Sequence, residues 1–249
     1  MSESERNIKL IVSYDGSSYC GWQRQKGLRS IQGEMEAALE KIHRRPVALA
    51  GSGRTDSGVH AAGQVANFYT GIQGMNAQRF VPALNGLLPK TIRVLEAEEA
   101  PKDFHSRFDA KSRTYRYFFI PPRMSLPGEN RFALGLRRQP DIALLNAYAR
   151  LLRGEFDCTI FAVPRDLSKS RSRYIHSACF FMEQGALVFE IRANAFLWKM
   201  VRSAAGTMLF YERKKTAAAE FKTIIDSGKR EYAGPTLPPD GLFLWKIDY

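Results

Sequence analysis

The alternation and recurrence of apolar residues along this chain predict strands interspersed with helices. In the first half the apolar periods predict strands at residues 8–14, 47–50, 64–70 and 91–97, and a helix over 77–88. Ile31, Met35, Leu39 and Ile42 recur at helical spacing and form one apolar face. Ser30 comes directly before them, and serine is a preferred residue for capping a helix N-terminus. We therefore predict a further helix that begins after Ser30.

The second half repeats this mixture of elements. It opens with a β-prone run at 114–120, continues with a helix over 141–153, and then has a hairpin of strands 174–182 and 187–192 that turns at 183–186. Helices are predicted over 196–211 and 217–227. Since both halves combine sheet and helix, we predict an α+β fold of two related halves, residues 1–103 and 104–249.

The charge balance indicates a polyanionic partner. The 249 residues include 37 Lys and Arg against 25 Asp and Glu, which gives a formal charge of +12 and a pI near 9.8. Basic and aromatic residues are interleaved at 113–119 and 196–202, a pattern that suits phosphate binding and stacking on unpaired bases. A membrane surface is the competing partner, but the chain has no apolar run of transmembrane length and no long helix with a lysine-rich face. We therefore expect a nucleic acid and no membrane.

Cysteine and histidine usage points away from metal and disulfide chemistry. The three cysteines and four histidines are scattered, so they form neither a disulfide framework nor paired zinc ligands. The chain has no Walker loop and no dinucleotide fingerprint, and we expect it to use no cofactor and no metal. Residues 1–7 lack the basic and apolar segments of a secretory signal, which predicts a cytoplasmic protein.

The loop at residues 51–61 is the strongest candidate for chemistry. Gly53 and Gly58 can adopt positive φ angles and approach a ligand closely, while Asp56 places a carboxylate two residues after the guanidinium of Arg54. Asp56 is therefore a candidate catalytic residue. The spacing by itself also fits a carboxylate that only stabilises a turn, with Arg54 as an ordinary surface cation.

A series of short blocks along the chain matches one known family in order. The blocks are Tyr14-Asp15-Gly16, Gly21-Trp22-Gln23-Arg24-Gln25, residues 30–34, 53–61, 63–65, 104–108, 113–117, 194–197 and 200–202, Gly206, and 241–244 with the terminal Tyr249. By these blocks nearly the whole chain resembles the TruA-type tRNA pseudouridine synthases. The resemblance implies an isomerase that converts uridines at positions 38, 39 and 40 of the tRNA anticodon stem-loop into pseudouridines. The conversion is redox-neutral and needs no group donor.

The same resemblance implies roles for four residues. Asp56 is the catalytic carboxylate, although the sequence does not decide whether it adds to the base, attacks the sugar or removes a sugar proton. Arg202 pairs with Asp56 and keeps it ionised, where the alternative is a helix-surface cation. Tyr115 stacks on the extruded uracil, where the alternative is an ordinary half-buried strand tyrosine, with Tyr117 as packing. Arg54 occupies the space that the target nucleotide leaves, or more simply binds the RNA backbone.

The family fold would join the antiparallel sheets of the two halves into one continuous sheet flanked by helices, with the catalytic cleft between the halves. The resemblance also implies a homodimer that binds tRNA. Candidate phosphate contacts, as a class, are Arg137, Arg138, Lys169, Arg171, Arg173, Lys214 and Lys215. Residues 155–161 and 227–232 depart from the family pattern. The alternative function is an RNA-binding protein of the same fold without catalytic activity, which would tolerate Asp56→Asn.

Overall fold

The chain divides into two compact units in a computed structural model that describes residues 5–120, 131–164, 166 and 168–249. One unit is formed by the chain up to Lys111 together with Phe243–Tyr249, and the other by Ser112–Leu242. Each unit combines a β-sheet with α-helices. The predicted α+β class, with antiparallel sheets and flanking helices, is confirmed.

The regular elements follow the chain in this order. The strands are β1 (Arg6–Tyr14), β2 (Ala50–Gly51), β3 (His60–Thr70), β4 (Ile92–Ala100), β5 (Ser112–Ile120), β6 (Leu134–Gly135), β7 (Gly154–Asp157), β8 (Ser172–Glu183), β9 (Ala186–Ala193) and β10 (Leu242–Asp248). The helices are α1 (Ile31–His43), α2 (Phe80–Leu87), α3 (Ile142–Leu151), α4 (Met200–Arg213) and α5 (Ala218–Asp226).

The first unit is built on strands in the order β4, β1, β3, β10. β1 pairs antiparallel with both β3 and β4, and β10 adds in parallel to β3 with Phe243 opposite His60. Ile8, Leu10 and Val12 of β1 are fully buried and form the centre of the core. α1 begins after Ser30, as predicted, and the hydroxyl of Ser30 caps it by accepting the N–H of Gly33 at 3.2 Å.

The second unit is built on strands in the order β5, β9, β8, β7, all paired antiparallel, with β6 parallel to β5. β8 and β9 form the predicted hairpin. Its turn has positive φ at Gln184 (49°) and Gly185 (84°), the combination that a type I′ turn requires. α3 is fixed to β8 because the Asn146 amide exchanges two hydrogen bonds of 2.8 Å with the backbone of Phe180.

Most predicted elements differ in their bounds by a few residues, and three of them differ in a way that the structure explains. The strand predicted at 47–50 shares only Ala50 with the observed strand, the two residues of β2. The helix predicted over 77–88 is a 3₁₀ turn at Ala77–Arg79 followed by α2. The helix predicted from residue 196 begins only at Met200, because Lys199 adopts a left-handed conformation (φ 59°, ψ 11°) that a continuous α-helix excludes.

Candidate active site

The loop that carries Asp56 connects β2 to β3 in the first unit. Asp56 begins a tight turn in which its carbonyl accepts the N–H of Val59 at 3.2 Å. Gly58 occupies the third position of this turn with φ 81°, as predicted, and glycine adopts that angle without strain. Gly53 does not have positive φ, so that prediction is wrong. Its lack of a side chain serves close packing instead, since a Cβ there would lie 2.9 Å from Cδ2 of Leu244.

A buried amide fastens the start of this loop to β3. Gln64 is fully buried, and its Oε1 accepts the N–H of Gly53 at 3.0 Å while its Nε2 donates to the carbonyl of Gly53 at 2.6 Å. Ser52 adds a backbone hydrogen bond of 2.8 Å to the carbonyl of Val65. The backbone three residues before Asp56 is therefore held in one position.

The two neighbours of Asp56 are fastened to the end of β1 and to the segment that follows it. Thr55 is buried, and its hydroxyl lies 2.8 Å from the hydroxyl of Tyr14. Ser57 donates to the carbonyl of Tyr19 at 3.2 Å. Asp56 itself is only partly buried. The loop thus presents a carboxylate on a backbone that is immobilised on both sides.

Tyr14 supports this loop as a neutral phenol. Burial raises its pKa well above the usual value near 10, and the hydrogen bonds from Thr55 and Gln64 offset only part of that effect. An uncharged hydroxyl can both donate and accept, which suits a group that touches two polar side chains.

His60, which follows the loop, has a structural environment. Its ring is fully buried and stacks on Phe243 with centroids 4.7 Å apart. Nδ1 accepts the backbone N–H of Gly16 at 3.1 Å and lies 3.3 Å from a carboxylate oxygen of Asp15. The predicted role of His60 as a hydrogen-bond partner is confirmed by the bond from Gly16. Arg54, in contrast, is exposed.

Tyr115 and Arg202 belong to the second unit. Tyr115 lies on β5 opposite Ile191 of β9, is 9% exposed, and meets the ring of Phe196 edge to face at a centroid distance of 5.0 Å. Arg202 lies in the first turn of α4, and its Nε donates to the carbonyl of Leu237 at 2.7 Å. Both side chains are therefore held by neighbours within their own unit. Their roles, and the pairing of Arg202 with Asp56, stay predictions.

Tyr117 is a packing residue, as predicted. It is fully buried and its hydroxyl donates to the carbonyl of Pro238. Burial raises the pKa of its phenol, while the positive charge of Arg202 acts in the opposite direction. The tyrosine therefore stays neutral and lies close enough to Arg202 to feel its charge.

Two of the candidate phosphate contacts have partners within the protein. Arg138 forms an ion pair with the buried carboxylate of Glu212, which also accepts the N–H of Asp141 at 2.8 Å. Arg173 donates to the carbonyls of Ser170 and Ser172. These two arginines organise local structure, whereas Lys169 is exposed.

Two residues with clear positioning roles were not predicted. One is Gln64, whose two side-chain hydrogen bonds to the backbone of Gly53 join residues 11 positions apart and have no local sequence signal. The other is Arg230, whose guanidinium donates to the carbonyl of Ile160 at 3.1 Å and to the hydroxyl of Thr236 at 3.0 Å, as well as to Ser203 of α4. Arg230 lies in the segment 227–232 that departs from the family pattern, and it fixes that segment to α4.

The described residues also bear on possible metal and membrane partners. No group of three or more His, Cys, Asp or Glu side chains among them has the arrangement of a metal site. None of the helices in the described ranges has the length and apolarity needed to cross a membrane.

Comparison with solved structures gives a remote match. The chain of a crystal structure titled "Crystal Structure of a Cbf5-Nop10-Gar1 Complex" aligns with a TM-score of 0.33 and 13% identity, over 80% of this chain and 53% of that one. A score that low does not establish a common fold.

Comparison with curated sequences is decisive. The tRNA pseudouridine synthase A of Treponema denticola is 51% identical over 100% of this chain and 95% of its own length. The protein of the same name from Treponema pallidum subsp. pallidum is 48% identical over 92% of this chain and 84% of its own length. A family profile described as tRNA pseudouridine synthase matches residues 10–109 and 148–249. The chain therefore belongs to the TruA-type tRNA pseudouridine synthases, a family of isomerases.

Proposed function

We propose that this protein isomerises uridines 38, 39 and 40 of the tRNA anticodon stem-loop to pseudouridine. The observation that carries the proposal is the Asp56 loop, in which a partly exposed carboxylate lies between two residues fixed by Tyr14 and Tyr19. Such preorganisation favours catalysis, because the reacting group needs no ordering during the reaction. The formal charge of +12 suits a tRNA substrate.

The reaction requires the protein to supply almost no atoms to the product. The bond between N1 of uracil and C1′ of ribose breaks, the base turns, and a bond between C5 and C1′ forms. The proton on C5 is lost and N1 gains one, so substrate and product have the same composition. Asp56, as an ionised carboxylate, is the proposed catalytic residue for this exchange.

Three further residues have proposed roles in binding the substrate. Tyr115, braced by the edge of Phe196, stacks on the extruded uracil. Arg202, oriented by the carbonyl of Leu237, pairs with Asp56 and keeps it ionised. Arg54, whose side chain is exposed, fills the space that the target nucleotide leaves in the stem and contacts phosphate.

Two organisational features complete the proposal. The family assignment supports a homodimer, which sedimentation velocity of the purified protein would detect as a species of twice the 28.2 kDa chain mass. It also supports a cytoplasmic location, where unmodified tRNA is available. A monomer at concentrations at which the enzyme is active would contradict the homodimer.

The position of the modified uridine is tested with three unmodified tRNA transcripts. Each carries a single uridine at position 38, 39 or 40 and cytidine at the other two, and a fourth transcript with cytidine at all three serves as control. Pseudouridine is mapped by carbodiimide modification and primer extension. We expect a stop one nucleotide 3′ of the uridine in each of the first three transcripts, and no stop that reports positions 38–40 in the control. Modification elsewhere in the tRNA, with none at 38–40, would contradict the proposal.

A further inference from the structure

Trp198 is an unusual surface residue of the second unit. Its side chain is 43% exposed, although tryptophan has a large apolar surface that proteins generally bury. The ammonium group of Lys199 lies 4.8 Å from its ring centroid. An exposed indole beside a lysine combines the two features that bind single-stranded nucleic acid, a stacking face and a cation for phosphate.

The backbone of Trp198 is held in place. Its N–H donates to Oδ2 of Asp166 at 2.7 Å, and the preceding Leu197 is buried. Leu197 also accepts the N–H of Met200 at 3.1 Å, which closes a turn around Trp198 and Lys199. A ring on a fixed backbone loses little conformational freedom when a ligand stacks on it.

The negative charge of Asp166 is compensated locally. Burial alone would raise the pKa of this carboxyl, but hydrogen bonds from the N–H of Trp198 and from Ser168, together with the charge of Arg173, hold it below its usual value. The carboxylate is therefore ionised and neutralised by its neighbours. It anchors Trp198 without presenting an uncompensated charge to an RNA phosphate.

Trp198 also lies next to the proposed uracil site. Phe196, two residues earlier, contacts the ring of Tyr115 at 5.0 Å. Two residues of extended chain span at most about 7 Å, so the Trp198 backbone lies within that distance of the residue that braces Tyr115. A nucleotide adjacent to one bound at Tyr115 is thus within reach of the indole.

A second exposed aromatic ring is tied to the same segment. Tyr174 is 50% exposed, and its backbone forms two hydrogen bonds of 3.1 Å with Asn194, one to the side-chain oxygen and one from the backbone N–H. Asn194 begins the segment that leads through Phe196 to Trp198. Aromatic surface and the positive charge of Lys199 therefore occur together around this segment, which favours RNA over an apolar protein partner.

We propose that Trp198 is a stacking surface for an unpaired nucleobase of the substrate RNA next to the target uridine, with Lys199 contacting the adjoining phosphate. This inference rests on the proposed function, because it assumes that Tyr115 binds the target base. It assigns a binding role to a residue outside the four site residues described above.

The test compares Trp198→Ala and Trp198→Phe with a matched control, Tyr232→Ala. Tyr232 is also 43% exposed and has a lysine, Lys229, 5.7 Å from its ring centroid. Its backbone carbonyl accepts a hydrogen bond from the hydroxyl of Tyr211, and alanine preserves that bond. Tyr211 lies eleven residues along α4 from Met200, so the control site is about 16 Å from the start of that helix.

Binding of unmodified tRNA is measured at one fixed salt concentration, together with quenching of tryptophan fluorescence by the RNA. We expect Trp198→Ala to weaken binding about 10-fold, within the range found for loss of one stacked base. Trp198→Phe should retain most of the affinity but lose most of the quenching, and Tyr232→Ala should bind like the wild type. Affinity of Trp198→Ala within about twofold of the wild type, with quenching unchanged in Trp198→Phe, would overturn the inference.

Pseudouridine formation by the wild type is measured separately, so that the two proposals can fail independently. A wild type that binds tRNA with Trp198-dependent quenching but forms no pseudouridine would refute the proposed function, and would retain RNA stacking by Trp198 without a target uridine beside it. An active wild type whose tRNA affinity does not depend on residue 198 would refute the stacking role alone.

Discussion

Substituting alanine for Gln64 removes the amide that holds the Asp56 loop against β3. The amide oxygen and nitrogen satisfy the N–H and the carbonyl of Gly53, at 3.0 and 2.6 Å, in a buried environment. Each of these two backbone groups, left buried without a partner, costs about 1–3 kcal/mol. We therefore expect Gln64→Ala to lower the free energy of unfolding by about 2–6 kcal/mol.

The same substitution should affect turnover beyond its effect on stability. Gly53 is three residues before Asp56, so loss of the hydrogen bonds from Gln64 allows the carboxylate to move. A displacement of about 1 Å can reduce a rate about 100-fold when the reaction needs a precise geometry. We expect kcat of the folded variant to fall at least about 10-fold.

Asn67→Ala is the matched control for this prediction. Asn67 is a second buried amide on β3, and it fastens a different segment, since its Oδ1 accepts the N–H of Ser106 at 2.9 Å and its Nδ2 donates to Asn7 at 3.0 Å. Urea unfolding gives the stability of both variants, and single-turnover pseudouridine formation under conditions where both are folded gives the rate. We expect a similar loss of stability but a rate within about twofold of the wild type for Asn67→Ala. Equal losses of rate in the two variants, or a wild-type rate in Gln64→Ala, would refute the reasoning.

Three further predictions concern stability and are measured by urea unfolding. The pKa of Tyr14 is raised in the folded state, so its stabilising contribution is complete below pH about 10 and is lost as pH rises above that value. Tyr14→Phe should therefore make the fall in the free energy of unfolding at alkaline pH shallower by up to about 1.4 kcal/mol per pH unit. An unchanged slope would contradict this. Arg138→Ala leaves the carboxylate of Glu212 buried without its counter-charge and should cost about 2 kcal/mol, whereas a cost below about 0.5 kcal/mol would show that water replaces the arginine. Ser30→Ala removes the cap of α1 and should cost about 1 kcal/mol, with Ser30→Asp close to the wild type.

The elements that the sequence predicts well are those whose signals are local. α1 follows from an apolar face and a capping serine, and the β8–β9 hairpin from two β-prone runs around Gln184-Gly185. The signal that sets the start of α4 is not local in the sequence. Whether Lys199 adopts a left-handed conformation depends on the turn that Asp166 and Leu197 stabilise, and Asp166 is 32 residues before Trp198.

The residues of the candidate site also differ in whether a local sequence signal marks them. Asp56 stands out because glycine and a neighbouring arginine mark its loop, and Gly58 is explained by the turn that it completes. The hydrogen bonds between Gln64 and Gly53 could not be inferred, because the sequence does not indicate which backbone groups an amide side chain will bind. Arg138 was grouped with possible phosphate contacts for the same reason, since its partner Glu212 lies 74 residues later.

The central claim is that this chain is a tRNA pseudouridine synthase whose catalytic carboxylate is Asp56. The most direct measurement is tritium release from unmodified tRNA that contains 5-tritiated uridine, with wild type and Asp56→Asn compared at equal tRNA occupancy. The account predicts release by the wild type and none above background by Asp56→Asn, while the variant binds the same tRNA within about threefold of the wild-type affinity. Release by Asp56→Asn at the wild-type rate, or no release by a wild type that binds the tRNA, would contradict it.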